Sequence, residues 1–107
     1  MKLLAKDLTL NEAEVELLRA VDGGARSFEP SGDSEDALAA FQEKTKSIRK
    51  LEARRYIAEI NGLNMVRFGG KNAINKVRLR GGLTEKGKAV LAHYNKTDVR
   101  ELEEQVA

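Results

Sequence analysis

Apolar residues recur at helical spacing early in the chain and predict an amphipathic helix over residues 9–22. Leucine, alanine and valine stand three and four positions apart there, which places them on one helical face. Thr9 and Glu12 fit a capping box, in which a hydroxyl and a carboxylate three residues apart bond the free amides of the first turn. Gly23 and Gly24 predict the helix end, because glycine adopts the left-handed conformation without steric cost.

A second helical stretch runs from Ser34 to about Arg55. Its apolar residues are again three and four positions apart, no glycine or proline interrupts it, and Asp33 or Ser34 is suited to cap it. The periodicity fits two structures. One is a single helix, and the other is a pair of helices joined by a tight turn near residues 43–46, with Thr45 as the second cap.

Two alternating segments follow and predict a β-hairpin. Residues 64–68 and 74–80 form the strands, and the glycine-containing segment 69–73 forms the tip. We expect Val77 and Leu79 to face the core and the basic residues that alternate with them to face outward. A short strand is also predicted over residues 26–29. A hairpin is marginal alone, so we expect it to pack on the helices.

Two further helical segments complete the predicted elements. Thr84 begins the first segment, and Gly87 within it costs about 1 kcal/mol relative to alanine, which suggests close packing against a strand. Thr97 is suited to cap the last segment, residues 96–107, a candidate dimerisation helix. Its narrow apolar stripe is either a dimer seam or a face packed on the same chain, and it consists of Val99, Leu102 and Val106.

The composition is that of one globular domain spanning residues 1–107. Of these residues, 41% are hydrophobic, which suffices for a single core. The absence of cysteine and the single histidine exclude disulfides, thiol catalysis, cysteine-based zinc sites and any site that needs two imidazoles. No apolar run is long enough to cross a membrane, and none near the start forms a signal-peptide core. We therefore expect a cytoplasmic protein without a cofactor, a metal or a membrane partner.

Charge is distributed unevenly along the chain. Residues 1–43 carry a net charge of −6, residues 44–80 carry +9 and residues 81–107 carry −1. A concentrated positive field attracts a polyanion, although a solvated basic surface has the same composition. Aromatic residues make up only 5% of the chain and tryptophan is absent, which disfavours a stacking platform for single-stranded nucleic acid. The favoured polyanion is therefore double-stranded DNA.

Two local motifs lie at the ends of the predicted hairpin. Residues 48–57 look like the end of a recognition helix that runs into a first wing strand, and residues 83–91 follow the pattern L-T-x-x-G-x-x-x-L. Together with the order of the elements, they resemble the winged helix-turn-helix DNA-binding domains of prokaryotic regulators of the MarR and PadR types. The chain departs from these families at residues 42–45, which contain no glycine turn, and at the longer, polar segment 26–33.

The resemblance implies an α+β fold with a three-helix core, a two- or three-stranded β-wing and a C-terminal helix. It also implies a homodimeric transcriptional regulator that reads a specific DNA sequence, with one helix in the major groove and the wing beside it. The residues expected to contact bases or phosphates are Lys44, Lys46, Ser47, Arg49, Lys50, Arg54, Arg67, Lys71, Asn72, Lys76, Arg78 and Arg80. This interpretation requires that folding bring these side chains into one continuous strip.

Two other classes of function compete with this interpretation. A winged-helix module that docks an acidic protein partner would use the same basic face. An enzyme is not expected, because His93 has no catalytic partners nearby in sequence and the Gly69-Gly70-Lys71 segment lacks the spacing of a phosphate-binding loop. The acidic residues near Asp33 are explained by helix capping, and no effector pocket is evident.

Overall fold

A computed structural model of the chain describes residues 3–106, including all of their side chains except those of residue 6 and residues 96–106. The described residues form an α+β fold with three α-helices and one three-stranded antiparallel sheet, as the sequence predicts at this level. In chain order the elements are a 3-10 turn at Ala5–Leu8, α1 at Glu12–Asp22, β1 at Ser27–Phe28, α2 at Glu35–Ala53, β2 at Ile60–Phe68, β3 at Lys71–Leu79 and α3 at Glu85–Val106.

Helix α1 begins later than the sequence predicts. Its capping box uses Asn11 and Glu14: the Asn11 side chain accepts a hydrogen bond from the Glu14 amide at 2.8 Å, and the Glu14 carboxylate accepts one from the Asn11 amide at 3.2 Å. The predicted box of Thr9 and Glu12 is therefore wrong. The backbone amide of Leu10 donates instead to the hydroxyl of Tyr94 on α3, which ties residue 10 to another helix.

Helix α2 is continuous from Glu35 to Ala53, so the two-helix alternative is wrong. Ser34 caps the helix by accepting a hydrogen bond from the Ala37 amide at 3.1 Å. Thr45 does not cap a second helix, because its hydroxyl is buried and donates to the Phe41 carbonyl one turn earlier at 2.9 Å. A threonine whose hydroxyl is satisfied within the helix gives no reason for a turn. The described chain thus lacks a turn between two helices at this position.

The sheet has the strand order β1–β3–β2, and all neighbours are antiparallel. Strands β2 and β3 form the predicted hairpin, but both begin earlier than predicted: β2 begins at Ile60 instead of residue 64 and β3 at Lys71 instead of residue 74. The predicted tip over residues 69–73 is therefore wrong, and the turn consists of Gly69 and Gly70 alone. Both glycines have positive φ, +59° and +80°, a conformation that side chains with a Cβ rarely adopt. The register shifts twice along the hairpin, which leaves Asn61 on β2 and Asn75 on β3 as extra residues.

The hydrophobic core lies between the sheet and the helices. Val77 and Leu79 of β3 are buried as predicted and belong to the same apolar cluster as Ile48 and Leu51 of α2. Helix α2 therefore lies on the face of the sheet to which Val77 and Leu79 point. The other buried apolar residues are Val15, Leu17, Leu18, Val21, Phe28, Phe41, Tyr56, Ile57, Ile74, Val90 and Leu91.

Gln42 joins α2 to strand β3 of the hairpin. It does so at Ile74, beyond the part of β3 that pairs with β1. Its side-chain amide donates to the carbonyl oxygen of Ile74 at 2.7 Å and accepts from the backbone amide of Ile74 at 2.9 Å. These two bonds occupy the edge of β3 beyond its pairing with β1, which covers only Arg78 and Val77. A side chain thus takes the place of a strand and holds the hairpin against α2.

Helix α3 packs tightly against the segment that follows α2. A Cβ atom on Gly87 would lie 1.9 Å from the carbonyl oxygen of Tyr56, so only glycine fits. The predicted close approach is confirmed, but the neighbour is the backbone after α2 and not a strand. Thr84 caps α3 by accepting from the Gly87 amide at 3.0 Å.

Helix α3 also continues beyond the break predicted at Thr97. The helix runs from Glu85 to Val106, and the sequence after Gly87 offers no glycine or proline to end it. The predicted separate C-terminal segment is therefore wrong. The apolar stripe of Val99, Leu102 and Val106 lies outside the described side chains.

Candidate nucleic-acid interface

The exposed side of α2 carries two of the predicted base-contacting residues. Lys46 and Arg49 are exposed, while Phe41, Thr45 and Ile48 of the same helix are buried. Lys46 forms an ion pair with Glu43 one turn earlier at 3.0 Å, and both side chains are largely solvated. An exposed pair of this kind stabilises little, so it leaves the lysine available to other anions.

Three other predicted residues of α2 are turned toward α1. Lys44 and Ser47 line an open cleft of about 570 Å³ between the two helices, and the Lys44 ammonium lies 5.2 Å from the centre of the Phe28 ring. Lys50 approaches the buried carboxylate of Glu14, with its Nζ 3.2 Å from Oε2 and 3.4 Å from Oε1. Glu14 is 1% exposed. Lys50 is therefore engaged in compensating a buried charge.

The hairpin divides its basic residues between two faces. Paired residues of antiparallel strands project to the same face, and successive residues alternate. Arg67 pairs with Asn72, and two positions further Met65 pairs with Ile74, a core residue. Arg67 and Asn72 therefore lie on the face that carries α2.

The remaining basic residues of the hairpin project from the opposite face. Lys76 and Arg78 flank the buried Val77, and Arg80 follows the buried Leu79, so all three side chains point away from α2, as their predicted outward orientation requires. Lys71 pairs with Phe68 and follows the same alternation. Lys46 and Arg49 consequently do not share a surface with Lys76 and Arg78, and the single continuous strip that the sequence interpretation requires is not formed.

Acidic neighbours engage part of the predicted set. Lys76 pairs with Glu29 at 3.0 Å, and Arg80 approaches Glu59 at 3.7 Å. Arg54, which caps α2 and is half-buried, lies beside the Tyr56 hydroxyl. Among the described side chains, the predicted cations without an ion pair or hydrogen bond are Lys44, Arg49, Arg67, Lys71 and Arg78, and Lys44 contacts the Phe28 ring.

Sequence reasoning missed one exposed cation next to α2. Arg55 follows the helix in the left-handed region, with φ of +63°, and its guanidinium is exposed and forms no described ion pair. The pattern Arg54-Arg55 at the end of a basic helix was the available signal. Arg55 adds a further positive charge at the C-terminal end of α2.

A buried polar cluster, also unforeseen, joins three distant segments. The Asp7 carboxylate accepts hydrogen bonds from the Tyr56 hydroxyl and from the Leu4 amide, and the Lys86 ammonium lies 3.4 Å from it. The hydrogen bond from Tyr56 is the main cause that lowers the pKa of Asp7. Burial, followed by the bond to Asp7, raises the pKa of Tyr56 to about 12. Every polar atom of the cluster is satisfied within the fold, so its role is structural.

Strand β2 exposes an unusual amount of apolar surface. Leu63, Met65, Val66 and Phe68 are each more than a third exposed. Val66 and Phe68 border an open cleft of about 560 Å³ that also includes Arg67 and Lys76. The hairpin thus combines positive charge with apolar side chains.

Other kinds of site find no support in the part of the chain that the structure describes. It contains no group of three or more acidic, histidine or cysteine side chains arranged to hold a metal ion. None of its helices has the length and apolar content needed to span a bilayer. Comparison with protein-family models, with curated proteins and with solved structures finds no match to this chain.

Proposed function

We propose that the protein binds double-stranded DNA through the α2 side of the fold alone, that is, through α2 and the α2 face of the β2–β3 hairpin, a smaller surface than the continuous strip that the sequence interpretation required. The observation that carries the proposal is the positive charge on the α2 side of the sheet: residues 60–80 contain five basic residues and no acidic one, and Arg49 of α2 and Arg67 of the hairpin, which lie on that side, are unpaired among the described side chains. Unpaired surface cations are available to replace the counterions of a phosphate backbone.

The arrangement of the elements supports a winged-helix-like mode of binding. A helix, a short strand, a second helix and a hairpin follow each other, and the short strand pairs with the second hairpin strand. This order agrees with the resemblance to prokaryotic regulators, whereas the continuous helix α2 departs from it. We assign the role of the recognition helix to α2.

The residues on the α2 side of the sheet form the proposed contact surface. Lys46 and Arg49 on the helix would face base edges and phosphates, and an arginine fork suits the two acceptors of guanine in the major groove. Arg67 and Asn72, on the same side of the hairpin, would hold the adjacent backbone. Such a protein would act as a small homodimeric transcriptional regulator in the cytoplasm.

A titration of a labelled duplex tests the proposal. Fluorescence anisotropy with a mixed-sequence duplex of about 20 base pairs should show binding at low salt, and the logarithm of the affinity should fall by about 0.9 per neutralised phosphate for each tenfold rise in salt. Arg49→Ala and Arg67→Ala should each weaken binding. Each should also make the salt dependence of the affinity shallower by the contribution of about one phosphate contact.

Lys88→Ala is the matched control, because Lys88 is an exposed cation of α3 outside both elements. Lack of binding to any duplex at about 50 mM salt would refute the proposal. Equal losses for Lys88→Ala and the two arginine variants would show that binding does not use the proposed surface.

The apolar side chains of β2 favour a second candidate, a module that binds another protein. A phosphate backbone offers no partner for Leu63, Met65 or Phe68, whereas a protein surface does. This function predicts tight capture of an acidic protein and only weak DNA binding that does not depend on sequence. Comparing the affinity for several duplexes of different sequence separates the two candidates.

A further inference from the structure

Strand β2 forms a long unpaired edge of the sheet. The strand order β1–β3–β2 gives β2 a neighbour on one side only, along nine residues. In the described chain, the backbone of residues 61–68 forms hydrogen bonds only within the hairpin. A row of free N–H and C=O groups at a sheet edge is a template for another strand.

The register identifies which backbone groups are free. Antiparallel pairs alternate between those that exchange two hydrogen bonds and those that exchange none. Phe68 and Lys71 close the two-residue turn and exchange two hydrogen bonds. The next pair, Arg67 with Asn72, therefore exchanges none. The same alternation, continued along β2, directs the N–H and C=O groups of Leu63, Met65 and Arg67 to the free edge.

Strand β2 exposes apolar side chains on both of its faces. Leu63 and Met65 are exposed on the α2 face, and Val66 and Phe68 are exposed on the other face. Natural edge strands are protected by charged side chains, by proline, by β-bulges or by inward-pointing charged residues, and in β2 these devices are limited to the bulge at Asn61 and to Arg67. Residues 60–68 contain no proline and a single charge, that of Arg67.

We propose that a second copy of this chain covers the edge, with the two β2 strands antiparallel around a twofold axis at Met65. The two sheets then join into one continuous sheet of six strands. This deepens the homodimer of the proposed function by placing its interface, and it does not depend on DNA binding.

With the twofold axis at Met65, the free backbone groups of the two strands pair with each other, and the exposed side chains of one strand lie against those of the other. It sets Met65 against the partner's Met65 and Arg67 against the partner's Leu63, so that all the outward backbone groups of residues 63, 65 and 67 find partners. Gly62 comes to lie beside the partner's Phe68, and an aromatic ring across a strand pair covers the bare backbone of a glycine. Four exposed apolar side chains per copy are thereby covered on both faces.

The charges permit this pairing. Arg67 of one copy faces the partner's Leu63, and the two Arg67 side chains are separated by about 14 Å, four residues along the strands. The basic residues of the two β3 strands are likewise about 14 Å apart, which exceeds the screening length of about 8 Å at physiological salt. An acidic peptide at this edge would place carboxylates against Met65 and Val66, so the apolar composition of β2 favours the strand itself as partner.

Light scattering, which measures the molecular mass in solution, tests the interface. The variants introduce a charge at Met65, the residue on the proposed twofold axis. Wild-type protein should show twice the monomer mass, and Met65→Lys should show the monomer mass, because like charges directly opposite each other destabilise a strand pair. An equimolar mixture of Met65→Lys and Met65→Glu should regain the dimer mass. Leu4→Lys is the matched control, since Leu4 and Met65 are both 53% exposed, and it should remain dimeric.

Amide hydrogen exchange provides a second readout within the folded protein. Raising the concentration of the wild type should slow exchange at Leu63, Met65 and Arg67, and leave Val66 and Phe68 unchanged because their amides already bond to β3. A wild type that is monomeric at its highest soluble concentration would overturn the proposal. A dimer that persists in Met65→Lys would also overturn it and would place the seam elsewhere, and Leu102→Lys then tests the C-terminal stripe. Neither result bears on duplex binding.

Discussion

Asp7 holds a negative charge in the interior, and Tyr56 and Lys86 make that burial tolerable. The carboxylate is fully buried, 49 residues away in sequence from the tyrosine that bonds to it. A buried charge is stabilised only when its oxygens are satisfied, and here they are bonded from three segments. The N-terminal turn is thereby anchored to the end of α2 and to the first turn of α3.

Tyr56→Phe should destabilise the fold, because it removes a hydrogen bond to a buried carboxylate and leaves one oxygen short of a partner. We expect the free energy of unfolding to fall by about 1.5–3 kcal/mol, as measured by urea denaturation at neutral pH. Tyr94→Phe serves as the control for loss of a tyrosine hydroxyl, since the described partner of the Tyr94 hydroxyl is the neutral amide of Leu10. This substitution should lower the free energy of unfolding by less than Tyr56→Phe does.

Burial of Tyr56, followed by its bond to Asp7, gives stability a dependence on alkaline pH through the raised pKa of the tyrosine. The pKa of Tyr56 is raised from 10.0 to about 12 in the folded chain. Between these values the unfolded chain loses the proton while the folded chain keeps it, so the unfolded state is favoured as pH rises. The stability contributed by this group is fully present below pH 10 and is lost as pH approaches 12. Denaturation across this range should show the decline in the wild type, and a decline of equal slope in Tyr56→Phe would contradict the assignment.

Local residue chemistry was predictable only where the partner is near in sequence. Thr84 was identified as a cap, and the cap of α2 was narrowed to Asp33 or Ser34, because a cap bonds an amide two or three residues away. Asn11 was missed in favour of Thr9 because Thr9 with Glu12 and Asn11 with Glu14 have the same spacing, and both pairs fit a capping box. The Asp7 cluster was missed because the bond from Tyr56 to Asp7 joins residues 49 positions apart.

At the scale of elements, α2 shows how a cap signal is overridden. Thr45 suggested a new helix, but its hydroxyl bonds to the Phe41 carbonyl inside the continuous helix. The existence of the hairpin was predictable, since alternation of side chains and the pair Gly69-Gly70 are both local signals, but its strands begin three or four residues earlier than predicted. The sheet order was not predictable from the pattern, because β1 is only two residues long and pairs with the distant β3.

Gln42→Ala should loosen the hairpin from α2. The substitution leaves the amide and carbonyl of Ile74 without their partner at a half-buried edge, and we expect a loss of about 1–3 kcal/mol in the free energy of unfolding. Amide exchange at Ile74 should become faster than in the wild type, which NMR spectroscopy can measure residue by residue.

Glu43→Ala is the neighbouring control, since Glu43 is exposed and pairs only with the solvated Lys46. It should change stability by less than about 0.5 kcal/mol and leave Ile74 exchange unaltered. Unchanged exchange at Ile74 in Gln42→Ala would mean that packing alone holds the hairpin.

At the scale of the whole molecule, the charge of the middle third was predictable but its placement was not. A strand sends alternate side chains to opposite faces, and the helix packs on one of those faces only. The basic block of residues 44–80 therefore divides into an α2 side, with Arg49 and Arg67, and an outer side, with Lys71 and Arg78. A linear count of charge contains no information about this division.

Arg49→Ala and Arg78→Ala distinguish which side carries the duplex. If DNA lies along α2, Arg49→Ala should weaken binding by about 1–3 kcal/mol and alter the preference among duplex sequences, while Arg78→Ala should have a small effect. Anisotropy titrations at fixed salt measure both. A larger and uniform loss for Arg78→Ala would instead place the duplex on the outer face of the hairpin, where only phosphate contacts are available.

The joint between α2 and α3 is closely packed and hydrogen-bonded. The Thr84 amide bonds to the Tyr56 carbonyl, Ala58 bonds to Gly82, and no atom can be inserted between Gly87 and Tyr56. If α2 tilts on binding a partner, α3 must tilt with it as a rigid body. For a helix of 22 residues, a rotation of about 5° at the joint displaces the far end by about 3 Å. A tilt of α2 on binding would thus displace the C-terminal end of α3.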